Sequence, residues 1–155
     1  MSHRFNEEQA GDPEAFRAIH SAMEQVPFGK WLGLELTGIE DDRVQMRFEM
    51  RDEMVGNPAR SALHGGVISS VLDTVGGFAA LIGYLTRASG QEADISPWLS
   101  TIDLRTDYLR PGVGARFTAS AFPLRVGNRL VVTRMELHGE SGDLIAVGTG
   151  TYVLP

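Results

Sequence analysis

Between Gly65 and Leu85 the chain carries one charged side chain, Asp73. A stretch of that length and apolarity has two destinations, a membrane or a protein core. A carboxylate near its middle, with five glycines and two serines around it, would be costly in lipid. The segment therefore reads as a long helix, roughly 65–86, buried inside a domain. Everything else in the fold must wrap around it.

The flanking sequence supplies the wrapping. Residues 13–25, opened by Asp12-Pro13, read as an amphipathic helix with Phe16, Ile19 and Met23 on one face. Val26-Pro27-Phe28-Gly29 breaks it. Val44, Met46, Phe48 and Met50 alternate with Gln45, Arg47 and Glu49, the pattern of a half-buried strand. Trp31 to Ile39 reads as the strand before it, with a turn at Glu40-Asp41-Asp42, and residues 57–61 as a loop into the long helix. After a polar link from Arg87 to Pro97, strand-like runs recur at Leu99–Leu109, Arg116–Phe122, Arg129–His138 and Leu144–Val153. Turns punctuate them at Pro111-Gly112, Val126-Gly127-Asn128 and Ser141-Gly142-Asp143. The expected class is α+β, an antiparallel sheet wrapped around one central helix.

On a helical wheel Val67, Ile68, Val71, Leu72, Val75, Phe78, Ile82 and Leu85 form one apolar face. Asp73 falls on the other, with Gly66, Ser69, Gly76, Gly77 and Ala80. Each glycine inside a helix costs about 1 kcal/mol relative to alanine, so the pair at 76 and 77 calls for close approach of another backbone or of a ligand. An ordinary surface aspartate sits among other charges. This one is the sole carboxylate between Glu53 and Glu92, which makes it the candidate for chemistry. Gly65 and Gly66 open the helix, where first-turn N–H groups lack partners and gather the positive end of the helix dipole. Such donors suit an oxyanion hole; a tight loop-to-helix turn is the plainer alternative. His64 is either a hydrogen-bonding residue before the helix or a catalytic one.

Other classes of function are narrowed by composition. Fourteen basic against twenty acidic side chains, net charge -6, argue against a nucleic-acid partner. The absence of cysteine removes disulfides, thiolate nucleophiles and cysteine-held zinc. His3, His20, His64 and His138 share no metal-ligand spacing, so no metal site is expected. Met1 to Glu8 shows no apolar secretory core, and a cytoplasmic location is expected.

The run Leu63-His64-Gly65-Gly66-Val67-Ile68-Ser69-Ser70-Val71-Leu72-Asp73 resembles the signature of the hotdog-fold acyl-CoA thioesterases, above all the branch typified by the phenylacetate-degradation (PaaI-like) enzymes. Tyr108-Leu109-Arg110-Pro111-Gly112 and the final Gly148-Thr149-Gly150-Thr151 fit the same pattern. The resemblance covers roughly residues 30–155, a hotdog domain preceded by an N-terminal helical extension, 1–29. It implies hydrolysis of acyl- or aryl-CoA thioesters. Asp73 would act as nucleophile or as general base, and Gly65 would offer its N–H to the thioester carbonyl. Thr101, or its neighbour Ser100, would hold the water, and Asn57 is the candidate for the family's asparagine before the histidine. Gly66, Arg110, Arg125 and Arg129 are candidates for binding substrate and coenzyme A phosphates. A thioester is already activated, so no cofactor is expected.

Gly65 and Asp73 lie eight residues apart, about 12 Å along one helix. Both cannot touch one reacting carbonyl within a single chain. If both act on one substrate, two subunits must share each site, which predicts a homodimer at minimum, possibly a dimer of dimers. Two other functions fit the same pocket: an acyl-thioester hydratase or dehydratase using His64 with Asp73, and a non-catalytic acyl-CoA sensor. Trp31, Phe78, Tyr84 and Trp98 are the aromatic candidates for an acyl pocket.

Overall fold

Alternation along the strands and the length of the apolar helix together determine the architecture. In a computed structural model, which describes residues 13–87 and 99–153, six strands form one antiparallel sheet and a 23-residue helix, α3 (Gly65–Arg87), packs on its inner face. The strands are β1 (Glu35–Glu40), β2 (Arg43–Glu49), β5 (Ser100–Tyr108), β6 (Arg116–Val126), β7 (Leu130–Gly139) and β8 (Leu144–Val153), in the spatial order β1-β2-β6-β7-β8-β5. Two helices precede them, α1 (Pro13–Met23) and α2 (Pro27–Leu32), and a two-stranded hairpin, β3 (Val55–Asn57) and β4 (Ala62–Leu63), leads into α3. This is the expected hotdog arrangement. Asp12, the linking residues 88–97, Trp98 and the side chain of Phe16 lie outside the described part.

The sheet can close on the helix because large and small residues alternate across its inner face. Met46, Ala119, Leu137 and Ala146 stand in one cross-strand row, and Val44, Ala121, Met135 and Gly148 in the next. All are buried, and each large side chain interdigitates with α3 over a small neighbour. A Cβ on Gly148 would lie 3.4 Å from Leu72 Cδ1, which shows how near helix and sheet approach. Phe48 and Phe117 add a stacked pair, centroids 5.2 Å apart; burying side chains of this size contributes about 1.5–3 kcal/mol each.

Several expectations need correction. Trp31 and Leu32 belong to α2, and the first strand starts only at Glu35. Pro27 fits the first helical position without a lost bond, and Gly33 at φ +72° caps the end, its N–H donating to Lys30 O. Six residues are too few to reveal a helical period. Residues 57–61 are part of a hairpin, with Val55 opposite Leu63 and Asn57 opposite Ala62. Gly76 and Ala80, placed on the Asp73 face of α3, are buried with Ile68, Val71, Leu72, Val75, Phe78 and Ile82, so the buried surface of the helix is wider than its apolar face. By length and composition α3 could span a membrane, but half of its most apolar window is buried within the protein; it is the core helix. Ile19 and Ala22 of α1 belong to the same core cluster, and residue 29 lies within α2.

The Gly76-Gly77 pair has a specific occupant. Tyr152 from β8 fills the space beside it: a Cβ on Gly76 would overlap the Tyr152 hydroxyl and stand 3.1 Å from Met135 Cε. The close neighbour is thus a side chain, where the sequence suggested a backbone or ligand. Gly76→Ala is therefore expected to lower stability by about 1–3 kcal/mol through overpacking, against a helix-propensity gain of about 1 kcal/mol. Denaturant unfolding measures the balance; a net gain would mean the slot is loosely packed.

Candidate active site

Asp73 sits on the third turn of α3, half-buried. From the edge strand β5, Thr101 Oγ1 donates to Asp73 Oδ1 at 2.9 Å. From β8, the Tyr152 hydroxyl donates to the same Oδ1 at 3.2 Å and to the Asp73 main-chain carbonyl at 2.9 Å. Oδ2 accepts no hydrogen bond among the described residues. Tyr152 is 2% exposed; burial and the adjacent Asp73 carboxylate push its ionisation far above the ordinary tyrosine range, so it remains a donor. Thr101, the candidate for holding the water, thus lies against Asp73, and Ser100, its neighbour on β5, makes no such bond. Tyr152 is a residue that sequence reasoning missed. The signal available was its alternation on the final strand with Gly148 and Gly150, opposite a helix that carries its own glycine pair.

A second cluster surrounds the start of α3. The His64 N–H donates to Met54 O at 2.8 Å and the Leu63 N–H to Gly112 O at 2.9 Å, which anchors the entry to the helix. Gly56 in β3 lets the hairpin lie against this point, since a Cβ there would fall 2.5 Å from His64 Cα. The Gly66 N–H donates to His64 Nδ1 at 2.8 Å, so His64 caps the helix and its Nδ1 is the acceptor nitrogen. Tyr108 donates through its hydroxyl to Gly65 O at 3.0 Å. None of the hydrogen bonds among the described residues uses the Gly65 N–H, which leaves it as the available donor at the positive end of the helix.

The remaining candidates divide between these places. Asn57 ends β3, exposed, on the hairpin that leads to His64 and away from the Thr101–Tyr152–Asp73 group. Arg110 lies near the helix start and donates to Leu144 O at 3.0 Å. Arg125 and Arg129 are exposed beside the β6–β7 turn, near the far end of α3, where Arg87 donates to Val126 O and Asn128 Oδ1. Within one chain, His64 and Asp73 are nine residues apart along a straight path, about 13 Å, so they do not form an acid–base pair. Among the described residues no three His, Asp or Glu side chains converge as metal ligands.

Asp73 opens onto a cavity of about 800 Å³ between α3 and the N-terminal helices. Ala18 and Ala22 of α1, with Val26 and Phe28, form one wall; Gly77, Phe78 and Leu81 of α3 form another. The volume falls within the roughly 300–1,000 Å³ of small-molecule sites, and the walls are mainly apolar. Of the aromatic candidates, Phe78 lines the cavity. Trp31 stacks on Phe28 at its outer side, half-exposed, and Tyr84 packs beside Ala80, Val131 and Tyr152. The helical extension is thus a wall of the cavity, a role that its sequence did not disclose.

Comparison with known proteins places this geometry among relatives. Residues 61–146 match the family model described as the thioesterase superfamily. The medium/long-chain acyl-CoA thioesterase YigI of Escherichia coli K12 is 47% identical over 133 residues, covering 83% of this chain and 86% of that protein. A solved structure from Shewanella oneidensis, related to the thioesterase superfamily, is 41% identical with a TM-score of 0.80, covering 94% of this chain and 100% of that one. The Escherichia coli PaaI protein of the phenylacetic acid degradation operon shares the fold at TM-score 0.75 and 20% identity, covering 91% and 93% of the two chains.

Proposed function

This chain belongs to the thioesterase superfamily, and we propose that it hydrolyses acyl-CoA thioesters at Asp73, with the acyl chain in the cavity beside α1. The observation that carries the reading is a carboxylate with one oxygen tied and the other without a hydrogen bond among the described residues, opening onto an apolar cavity. Oδ2 supplies the electron pair, either by taking a proton from water or by attacking the carbonyl carbon directly. The thioester oxygen, as it gains negative charge, accepts from the Gly65 N–H. The C–S bond breaks and coenzyme A leaves as its thiolate; in the base route it takes the proton that Asp73 drew from water, and in the direct route water hydrolyses the acyl anhydride on Asp73 and supplies that proton. Thr101 already donates to Asp73 Oδ1; its oxygen can still accept from the attacking water. No metal or organic cofactor enters these steps.

Gly65 and Asp73 lie on one unbroken helix, about 12 Å apart, so this chemistry requires two chains per site and at least a homodimer. An open edge supports the assembly. Among the described residues β5 pairs with β8 alone, and Ile102 and Tyr108 on it are 58% and 53% exposed, a long open strand of the kind that pairs with another chain. Arg110, near the Gly65 end, and Arg125 and Arg129, near the other, are the guanidinium groups proposed for coenzyme A phosphates. Sedimentation should give a dimer or a multiple of it; a monomer that turns over substrate would contradict the shared site.

The cavity wall predicts selectivity. Ala18→Phe projects a ring into the space that an acyl tail would fill, displacing about two to three methylenes worth ~2 kcal/mol, a factor of about 30 in kcat/KM. The loss should fall on long acyl chains and spare butyryl-CoA. Equal loss at every chain length would show that the tail lies elsewhere.

A further inference from the structure

We propose that Tyr152 is a positioning residue that ties down Asp73 Oδ1 and so makes Oδ2 the oxygen that acts on substrate. The inference rests on Asp73 as the reacting carboxylate and adds which of its oxygens reacts and what makes them unequal.

A buried hydroxyl is costly unless it is hydrogen-bonded, and a phenylalanine would fill the same slot without that cost. The molecule nevertheless builds the slot around the hydroxyl. Gly76 on α3 and Gly150 on β8 both face it: a Cβ on Gly150 would lie 2.9 Å from the Tyr152 oxygen, and one on Gly76 would overlap it. Gly77, one residue on, leaves the ring edge open at 3.6 Å from where its Cβ would be. The hydroxyl enclosed in this slot reaches both the side-chain Oδ1 and the main-chain carbonyl of Asp73. That double contact fixes the carboxylate to its own helix turn.

Thr101 approaches the same Oδ1 from β5. Two donors on Oδ1 leave Oδ2, which accepts no hydrogen bond among the described residues, as the oxygen open to substrate. Thr101 is exposed at the sheet edge, whereas Tyr152 is enclosed, so Tyr152 is the donor that solvent cannot replace. Of the titratable groups that line the cavity, Arg17 on α1 stands with Asp73 and Tyr152.

The test is Tyr152→Phe, which keeps the ring in its slot and removes only the hydroxyl. Loss of this charge-assisted bond should lower kcat about 10-fold at the pH optimum with KM unchanged. Independently of turnover, the Asp73 carboxyl carbon, followed by ¹³C NMR in aspartate-labelled protein at that pH, should change its chemical shift in the variant. An unchanged Asp73 chemical shift overturns the proposal, even with lowered kcat, since a tyrosine that only fills its slot would slow turnover without moving it. Should wild type release no thiol from any acyl-CoA, the thioesterase reading falls, and the NMR shift still decides whether Tyr152 governs Asp73.

Discussion

Asp73→Asn is expected to lower acyl-CoA hydrolysis by about 10²–10⁴-fold, the range that a positioned base supplies, and to leave the fold intact. The substitution is close to isosteric, and the local geometry shows what it changes. The amide oxygen can take the place of Oδ1 and still accept from Thr101 and Tyr152. The amide nitrogen then stands where Oδ2 was, with no lone pair to offer to water or to a carbonyl. Ground-state packing, the Tyr152 slot and the cavity walls are untouched, so KM should change little while kcat collapses. Thermal unfolding within a few degrees of wild type is the accompanying control. Retention of a tenth or more of wild-type kcat would remove Asp73 from the reaction.

Gly65 gives the second large effect, and here a pair of substitutions separates backbone from side chain. Gly65→Pro deletes the N–H at a helix start, where proline is otherwise well tolerated. Loss of one oxyanion donor costs about 10²–10³-fold in kcat, and that is the expected drop. Gly65→Ala keeps the N–H, and its Cβ would meet Tyr108 Cε1 at 3.4 Å, an ordinary contact; it should retain most activity. Equal losses for both would point to crowding at Tyr108. The composite site adds a further expectation, since each site takes Gly65 from one chain and Asp73 from the other. Mixed dimers of Gly65→Pro and Asp73→Asn, each nearly inactive alone, should recover up to about a quarter of wild-type activity at statistical exchange, because half of the dimers are mixed and one of their two sites is whole. No recovery, with exchange verified by mass-tagged chains, would mean that each chain carries a complete site.

The central helix was legible because its signal is long and one-sided: apolar residues over some six turns, with one carboxylate. The strands β2, β6, β7 and β8 were legible from alternation, and Asp41 and Asp42, both at positive φ, make the turn expected between β1 and β2. Short elements were not. α2 and the β3–β4 hairpin span six, three and two residues, too few for any period; Gly33 N–H closes α2 onto Lys30 O, and main-chain bonds from Leu63 and His64 to Gly112 and Met54 hold the hairpin's end. At the site, Asp73 and the helix-opening glycines stood out as local anomalies. Tyr152 lies 79 residues from Asp73 in sequence, and the glycines that alternate with it on β8 do not name its partner, which is a property of strand order and register. The same holds for the wall that α1 gives to the cavity, where Ala18 and Ala22 resemble any small residues on an amphipathic helix.

The most direct test of the account is free-thiol release from acyl-CoAs of four to sixteen carbons and from an aryl-CoA, with wild type and Asp73→Asn assayed side by side. Release by wild type is expected to rise with acyl length as the tail fills the cavity, and release by Asp73→Asn to stay near background on every substrate. Detectable binding of these acyl-CoAs with no thiol released by wild type would contradict the account and leave the cavity as a binding site alone.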